Sequence, residues 1–199
     1  MISGSSDVMD AIAFFKGAFM IVMALAVAEA FKQFVAARTA GEAERRVGWE
    51  RAPALVSFIF LIVPFYQGMS RYFFLTYGDS TKLPQPYAAF LLFDAVNFLI
   101  ESMLFFAMSQ ALAITSWRRF HACVLTLLSV DIVWVWLSTW LHGGTVAAWM
   151  LINVVCAIVL LAIVRWPKSA SRQPALWAMI AVMARTIADY GLSWNFYFP

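Results

Sequence analysis

The amino-acid sequence predicts an all-α, polytopic integral membrane protein, with six transmembrane helices in one compact bundle. Its 199 residues are 63% hydrophobic and 13% charged, whereas soluble domains average about 45–50% apolar and about 25% charged residues. One membrane span needs about 20 apolar residues, so the roughly 125 hydrophobic side chains suffice for about six spans. This composition excludes an ordinary soluble enzyme, a disordered chain and a nucleic-acid-binding tail.

The first two predicted spans are separated by a polar linker. The first covers residues 9–31, and because no basic segment precedes its apolar run, we expect it to be kept rather than removed as a signal peptide. The linker, residues 32–51, contains a glycine and a mixed-charge run. The second span covers residues 53–77 and contains Pro64, which removes one backbone donor and predicts a kink or an opening of the helix.

The remaining four spans are separated by short turns. The turn-forming sequence GDSTKLPQP ends just before the third span, which covers residues 87–116. The fourth, fifth and sixth spans are predicted at residues 120–141, 145–164 and 174–192. The sixth is short and carries two charges, so the sequence leaves open whether it crosses fully. Every linker is too short for a soluble domain, and the chain is predicted to be a single transmembrane domain.

The basic residues are sorted between alternate linkers, and this predicts the orientation of the bundle. Linkers one, three and five carry ten of them, whereas linkers two and four carry only Lys82. Because cytoplasmic loops are rich in lysine and arginine, both termini are expected on the non-cytoplasmic side, in a bacterial inner membrane. The ten residues are Lys32, Arg38, Arg45, Arg46, Arg51, Arg118, Arg119, Arg165, Lys168 and Arg172.

The third predicted span carries a polar face. Asp94, Asn97 and Glu101 are spaced i, i+3, i+7, which places them on one side of the helix over two turns. Asp131 of the fourth span lies at about the depth of Glu101. A charge at mid-bilayer costs at least about 2.5–3.5 kcal/mol, so each of these groups is expected to face a partner or water. The four residues are the predicted ion, proton or ligand path.

Three basic residues within the spans are predicted to form a cationic mouth above these carboxylates: Lys16, Arg71 and Arg185. Gln67 precedes Arg71 by four residues and Asp189 follows Arg185 by four, so each can support its arginine from the same helix face. Together these groups predict an outward-opening polar cavity that suits an ion or solute path. The alternative is a set of interhelical ion pairs that fix which helices adjoin.

No motif in the sequence names a reaction. A phosphate-binding glycine loop, the zinc-protease motif His-Glu-x-x-His and a serine-hydrolase nucleophile motif are all missing. We predict no catalytic residue, cofactor or metal site. The favoured function is an ion- or proton-conducting or solute-transport unit. The alternative is a membrane-embedded anchor, sensor or effector subunit, and the third hypothesis is an enzyme acting on a lipid headgroup or a quinone.

The expected partners are the lipid bilayer and other subunits, either further copies of the chain or members of a membrane complex. The basic linker at residues 32–51 is a possible docking site for a cytoplasmic protein or for anionic lipid, at about 1 kcal/mol per basic residue near the surface. The positive-inside rule by itself also explains these residues. No nucleic-acid partner is expected, because the positive charges are sorted by membrane side.

Overall fold

The computed structural model describes residues 3–39, 51–78, 87–112, 117–142, 147–165 and 173–199. These ranges are almost entirely helical and contain no strand, which confirms the all-α class. The helices are α1 (Ser3–Thr39), α2 (Ala52–Tyr77), α3 (Tyr87–Ala111), α4 (Trp117–His142), α5 (Ala147–Arg165), α6 (Gln173–Leu192) and the short α7 (Trp194–Tyr197).

Five of these helices are long and apolar enough to cross a membrane, by length and composition. The remaining apolar stretch, Trp149–Arg165 in α5, is shorter. The sixth predicted span, whose crossing the sequence leaves open, is among the five, at Pro174–Leu192. The five long stretches are Val8–Ala36, Ala52–Tyr77, Ala88–Ala111, Trp117–Trp140 and Pro174–Leu192.

The first helix is longer than predicted. It ends at Thr39 rather than near Phe31, because Lys32 and Gln33 continue it instead of beginning a linker. Both side chains contact Glu29, with the Lys32 Nζ 3.3 Å from a carboxylate oxygen, and pairs at i+3 and i+4 stabilise a helix. The rest of the basic linker proposed for docking, residues 40–50, lies outside the described residues, as do residues 79–86.

The helices pack side by side in a ring. α1 packs on α3, α3 on α4, α4 on α5, α5 on α6, α6 on α2 and α2 on α1. Helix α2 also contacts α3 and α4, so it lies toward the inside of the ring. Successive helices run in opposite directions, and the end at which α1 begins and α2 ends is called the upper end below.

Two apolar clusters fill the bundle at different levels. The upper cluster contains Phe19, Phe73 and Phe98, together with buried residues of α4. The lower cluster contains Phe58 and Phe105, together with buried residues of α1, α4, α5 and α6. Helices α5 and α6 contribute fully buried apolar residues to the lower cluster alone. The upper level therefore has room for polar side chains where α5 and α6 face α2, α3 and α4.

The outside of the bundle is apolar. Large hydrophobic side chains such as Phe14, Leu151 and Ile158 are each more than 60% exposed. A soluble monomer rarely presents so much apolar surface, whereas such side chains suit contact with lipid. The bundle is therefore that of a membrane protein.

Pro64 lies inside α2 without ending it. The helix is continuous from Ala52 to Tyr77, so the predicted opening does not occur. Because proline has no N–H, the carbonyl of Phe60 one turn earlier lacks its helical donor. The hydroxyl of Thr186 on α6 donates to that carbonyl at an O–O distance of 2.7 Å. The bond that Pro64 leaves vacant is thus used to join α2 to α6.

Replacing Thr186 with valine, which keeps the shape of the side chain, should destabilise the contact between α2 and α6. The Phe60 carbonyl would lose its donor, and we expect the free energy of unfolding in detergent to fall by about 1 kcal/mol. Thr126→Val is the matched control, because the Thr126 hydroxyl is exposed and donates only within its own helix. In a Pro64→Ala background, the restored N–H should remove most of the effect, and an undiminished effect there would contradict this role.

Candidate functional site

A small internal cavity lies between α2, α3, α4, α5 and α6. It measures about 40 Å³, which is room for a few water molecules. Its charged lining consists of Glu101 from α3, Asp131 from α4, and Arg185 and Asp189 from α6. Apolar and aromatic side chains make up most of the remaining wall. Two acids that the sequence placed at one depth, Glu101 and Asp131, therefore border the same space.

A chain of polar contacts joins three of these charged residues. The Arg185 Nη1 lies 3.2 Å from Oδ2 of Asp189, which confirms the i, i+4 pairing predicted from the sequence. The Nε of Arg185 donates to the side-chain oxygen of Asn153 on α5 at 2.9 Å. The Asn153 amide in turn donates to the carboxylate of Asp131. One guanidinium thus connects α6, α5 and α4.

Glu101 is only partly engaged by its neighbours. Asn97, one turn earlier on α3, donates to its Oε1 at 2.9 Å, so these two residues share a face as predicted. Glu101 is 1% exposed, and its Oε2 is buried without a hydrogen-bond partner among the described residues. The same is true of Oδ1 of Asp189. The cavity is therefore lined by two carboxylates that each retain an unused acceptor.

The charges around the cavity do not balance. Three carboxylates and one guanidinium line it, so an excess of two negative charges results if every acid is ionised. Buried like charges repel strongly, and a bilayer protein tolerates them only when protons, a cation or water offset the excess. The arrangement is therefore chemically suited to holding a proton or a cation.

Asp94, predicted to share a path with Glu101, lies in a separate polar site. Its Oδ2 accepts hydrogen bonds from Tyr72 at 2.9 Å and from Tyr77 at 2.6 Å, and its Oδ1 accepts one from the Trp134 indole at 2.8 Å. Seven residues separate Asp94 from Glu101, which is about 10 Å along the helix axis. The two carboxylates share a face of α3, but this rise places them at different levels. Asp94 joins α2, α3 and α4 instead of lining the cavity.

Only Arg185 of the three residues predicted to form a cationic mouth lines the cavity. Arg71 donates from its Nε to the carbonyl of Phe196 at 3.1 Å, and it lies against the ring of Phe74. Lys16 is half-buried on α1 and is not among the residues that line the cavity. The cationic part of the cavity wall is a single guanidinium in the part of the chain that the structure describes.

The short helix α7 folds against α2 and completes the cavity wall. Gln67 donates to the carbonyl of Tyr197 at 3.3 Å, and the Tyr197 hydroxyl donates to Oδ2 of Asp189 at 2.9 Å. Burial and the negative charge of Asp189 raise the pKa of the Tyr197 hydroxyl, so it remains a donor. A β-carbon at Gly68 would lie 3.4 Å from that hydroxyl oxygen. Tyr197 therefore packs directly against Gly68 and leaves no room for a side chain much larger than a methyl group.

A larger recess, here called the vestibule, lies beside the cavity at the upper end of the bundle. Its volume is about 540 Å³. Tyr72, Trp134 and Trp149 line both spaces and form the wall that separates them. The indole N–H of Trp149 is buried without a hydrogen-bond partner among the described residues. The full lining consists of Tyr72, Trp134, Val135, Ser138, Trp149, Gly191, Leu192, Ser193, Trp194, Asn195 and Phe196.

The sequence alone did not identify the aromatic residues of these sites. Trp134 is 4% exposed and binds Asp94, whereas Trp136 is 61% exposed. In sequence both resemble the tryptophans that anchor membrane helices at the interface. The sequence does contain one signal for these contacts, which is helical depth: Tyr72 and Trp134 lie near the level of Asp94 on neighbouring helices. Asn153 of α5 forms interhelical hydrogen bonds with Asp131 and Arg185, as polar residues within membrane helices commonly do.

Comparison with known proteins gives no further guide to the site. Searches with the sequence and the structure found no matching family model, no similar curated protein and no similar solved structure. Within the described ranges, no three His, Cys, Asp or Glu side chains are placed to hold a metal ion. What the chain does must therefore be inferred from its own side chains.

Asp94→Asn should destabilise the protein more than removal of any one of its donors. An amide offers one acceptor oxygen where the carboxylate offers two, so at least one of the donors from Tyr72, Tyr77 and Trp134 would face an N–H₂ group. We expect a loss of about 1.5–3 kcal/mol, measured by thermal unfolding in detergent. Tyr72→Phe leaves Asp94 the donors of Tyr77 and Trp134, and a variant Asp94→Asn as stable as Tyr72→Phe would contradict the assigned role.

Gly68→Val should weaken the attachment of α7 to the bundle. The branched side chain would overlap Tyr197 and displace its hydroxyl from Asp189, at a cost of about 1–3 kcal/mol for overpacking. Gly17→Val is the matched control, because a β-carbon at Gly17 has no neighbour within 4 Å. Thermal unfolding in detergent compares the two variants, and equal stabilities would show that Gly68 does not govern this contact.

Proposed function

We propose that the protein moves protons or small cations across a membrane, with Glu101 and Asp131 as the groups that bind the cargo. The observation that carries this proposal is the charge imbalance around the cavity, where three carboxylates, two of them buried, and one guanidinium line the same space. Ionisable groups inside a membrane bundle are costly and typically mark ion or proton pathways. A purely structural set of ion pairs would be expected to balance its charges and to use all of its acceptors.

The two binding groups have different surroundings, which supports different roles. Glu101 receives one hydrogen bond, from Asn97, and keeps Oε2 unused. Asp131 is held by Asn153, which also contacts Arg185. A cargo that binds Glu101 changes the charge facing Asp131, and this change reaches Arg185 through one amide side chain. Asp94 accepts hydrogen bonds from three aromatic residues of α2 and α4, and we assign it to the stability of the bundle.

The small volume of the cavity, about 40 Å³, favours a gated carrier over an open pore. Toward the upper end, the rings of Tyr72, Trp134 and Trp149 separate it from the vestibule. Toward the lower end, Phe105 and Leu128 line the cavity and belong to the lower apolar cluster. We expect a cargo larger than a few water molecules to pass these side chains only when they or their helices move. Movements of packed helices of this kind occur on microsecond to millisecond timescales.

Proton flux in liposomes tests the proposal. Protein reconstituted with an internal pH dye is driven by a potassium diffusion potential, and the initial rate of internal pH change is recorded. We expect this rate to be higher in liposomes that contain the wild-type protein than in empty liposomes. Glu101→Gln and Asp131→Asn should each lower the rate about tenfold or more, because each removes a charge that binds the cargo. The same liposomes with a sodium or potassium gradient test whether a metal cation crosses instead.

Glu29→Gln is the matched control for these variants. Glu29 lies on α1, near the lower end, where it contacts Lys32 and Gln33, and it does not line the cavity. The substitution makes the same Glu-to-Gln change in a membrane helix, and its flux should equal that of wild type. Wild-type flux of both protons and metal cations in the Glu101→Gln and Asp131→Asn proteins would refute the proposal.

A further inference from the structure

We propose that the cargo is an organic amine in its protonated form, with the ammonium group bound in the cavity and its apolar body in the vestibule. This inference rests on the proposed function, since it names the substrate class of the same cavity. It draws on two independent observations: the unused acceptors of buried carboxylates, and an aromatic recess of ligand size that shares a wall with them.

The cavity is suited to a cation that carries N–H donors. Oε2 of Glu101 and Oδ1 of Asp189 are buried acceptors with no donor among the described residues. A protonated primary or secondary amine supplies positive charge and at least two N–H groups, so it forms charge-assisted hydrogen bonds with both. A metal ion or a quaternary ammonium supplies charge without N–H donors. A volume of about 40 Å³ admits the ammonium group and little more.

An anion is disfavoured in the same place, because the cationic side chain there already contacts other residues of the protein. Arg185 uses its Nε for Asn153 and its Nη1 for Asp189. No other lysine or arginine lines the cavity or the vestibule in the part of the chain that the structure describes. An incoming anion would meet three carboxylates with few free donors to compensate, whereas a cation reduces their repulsion.

The vestibule is suited to the apolar body of an amine. Its volume of about 540 Å³ lies within the range of roughly 300–1,000 Å³ found for small-molecule sites. Aromatic faces pack against apolar groups and also attract cations, so rings on the way to the carboxylates favour an organic cation. The serine and asparagine side chains in the lining give the recess a few polar atoms. The aromatic members are Tyr72, Trp134, Trp149, Trp194 and Phe196.

The three rings of the shared wall determine how the amine reaches the acids. Tyr72 and Trp134 are in edge contact, with ring centroids 5.0 Å apart, and Trp149 packs against Phe196 with centroids 5.7 Å apart. Rotation of Trp149 joins the two spaces without disturbing the Asp94 site, since its indole N–H has no partner to break among the described residues. The amine nitrogen then approaches Asp189 and Glu101 while its body stays beside the rings.

Equilibrium binding to the purified full chain in detergent tests this inference, with 2-phenylethylamine as the probe in titration calorimetry at pH 7. Two analogues of similar shape are compared: 2-phenylethanol, which has no charge, and the trimethylated ammonium, which has no N–H donor. We expect the amine to bind about tenfold or more tightly than either. Glu101→Gln should reduce that preference, and Glu29→Gln should leave it unchanged. Equal affinities for the three probes would overturn the proposal.

A second pair of variants tests the vestibule without touching the carboxylates. Gly191 lines the vestibule, and a β-carbon there has no neighbour within 4 Å, so Gly191→Leu fills the recess with little effect on folding. Gly17→Leu on α1 is the control, because Gly17 also has no neighbour within 4 Å and lies outside the site. We expect Gly191→Leu alone to weaken amine binding about tenfold. Thermal unfolding verifies that both variants are folded. Equal amine affinities in the Gly191→Leu and Gly17→Leu proteins would overturn the assignment of the vestibule as the site of the apolar body.

Binding and flux together separate the two proposals. Proton or metal-cation flux that depends on Glu101, without amine binding, would overturn the amine as cargo while the transport function stands. Amine binding that depends on Glu101 and Gly191, with no amine, proton or metal cation crossing the liposome membrane, would support the site and overturn transport.

Discussion

The polar interior of the bundle depends on the contacts that the guanidinium of Arg185 makes. A charge inside a membrane helix bundle is tolerated only when it is paired or hydrated, and Arg185 meets this condition for Asp189 directly and for Asp131 through Asn153. These contacts hold α4, α5 and α6 together at one level. They also leave Glu101 with a single described partner, Asn97. Among the three carboxylates that line the cavity, Glu101 is the one that neither Arg185 nor Asn153 contacts by a hydrogen bond, and it is one of the two groups that we propose bind the cargo.

The two acids of α3 show how level, rather than residue type, determines role. Asp94 and Glu101 share a helix face, yet a separation of about 10 Å along the axis gives them different neighbours. Aromatic donors from α2 and α4 surround Asp94 and use both of its oxygens. Around Glu101, the facing helices bring further charges and a cavity. A carboxylate of α3 therefore joins helices at the level of Asp94, whereas at the level of Glu101 it retains an unused acceptor.

Helix α2 both joins neighbouring helices and borders the candidate site, because it lies inside the ring. Its Pro64 leaves the Phe60 carbonyl free for Thr186 of α6, and its Gly68 leaves space for Tyr197. Two residues that weaken an isolated helix thus create close contacts with α6 and α7. Those contacts position Asp189 and complete the wall between the cavity and the bundle surface. The proline and the glycine of α2 are in this way coupled to the geometry of the candidate site.

The sequence by itself determined the helical class and the apolar exterior, because both follow from composition and from runs of hydrophobic residues long enough to form spans. It also singled out Glu101, Asp131, Arg185 and Asp189, which line one cavity in the structure, since charges within such runs are rare and helical spacing places neighbours on one face. It did not assign Arg71 to a backbone carbonyl of α7, and it did not distinguish Trp134 from an interface tryptophan. Those roles depend on which helices are adjacent and how they are rotated, and only the tertiary structure decided that, because packing between helices carries no signal in the spacing along any one of them.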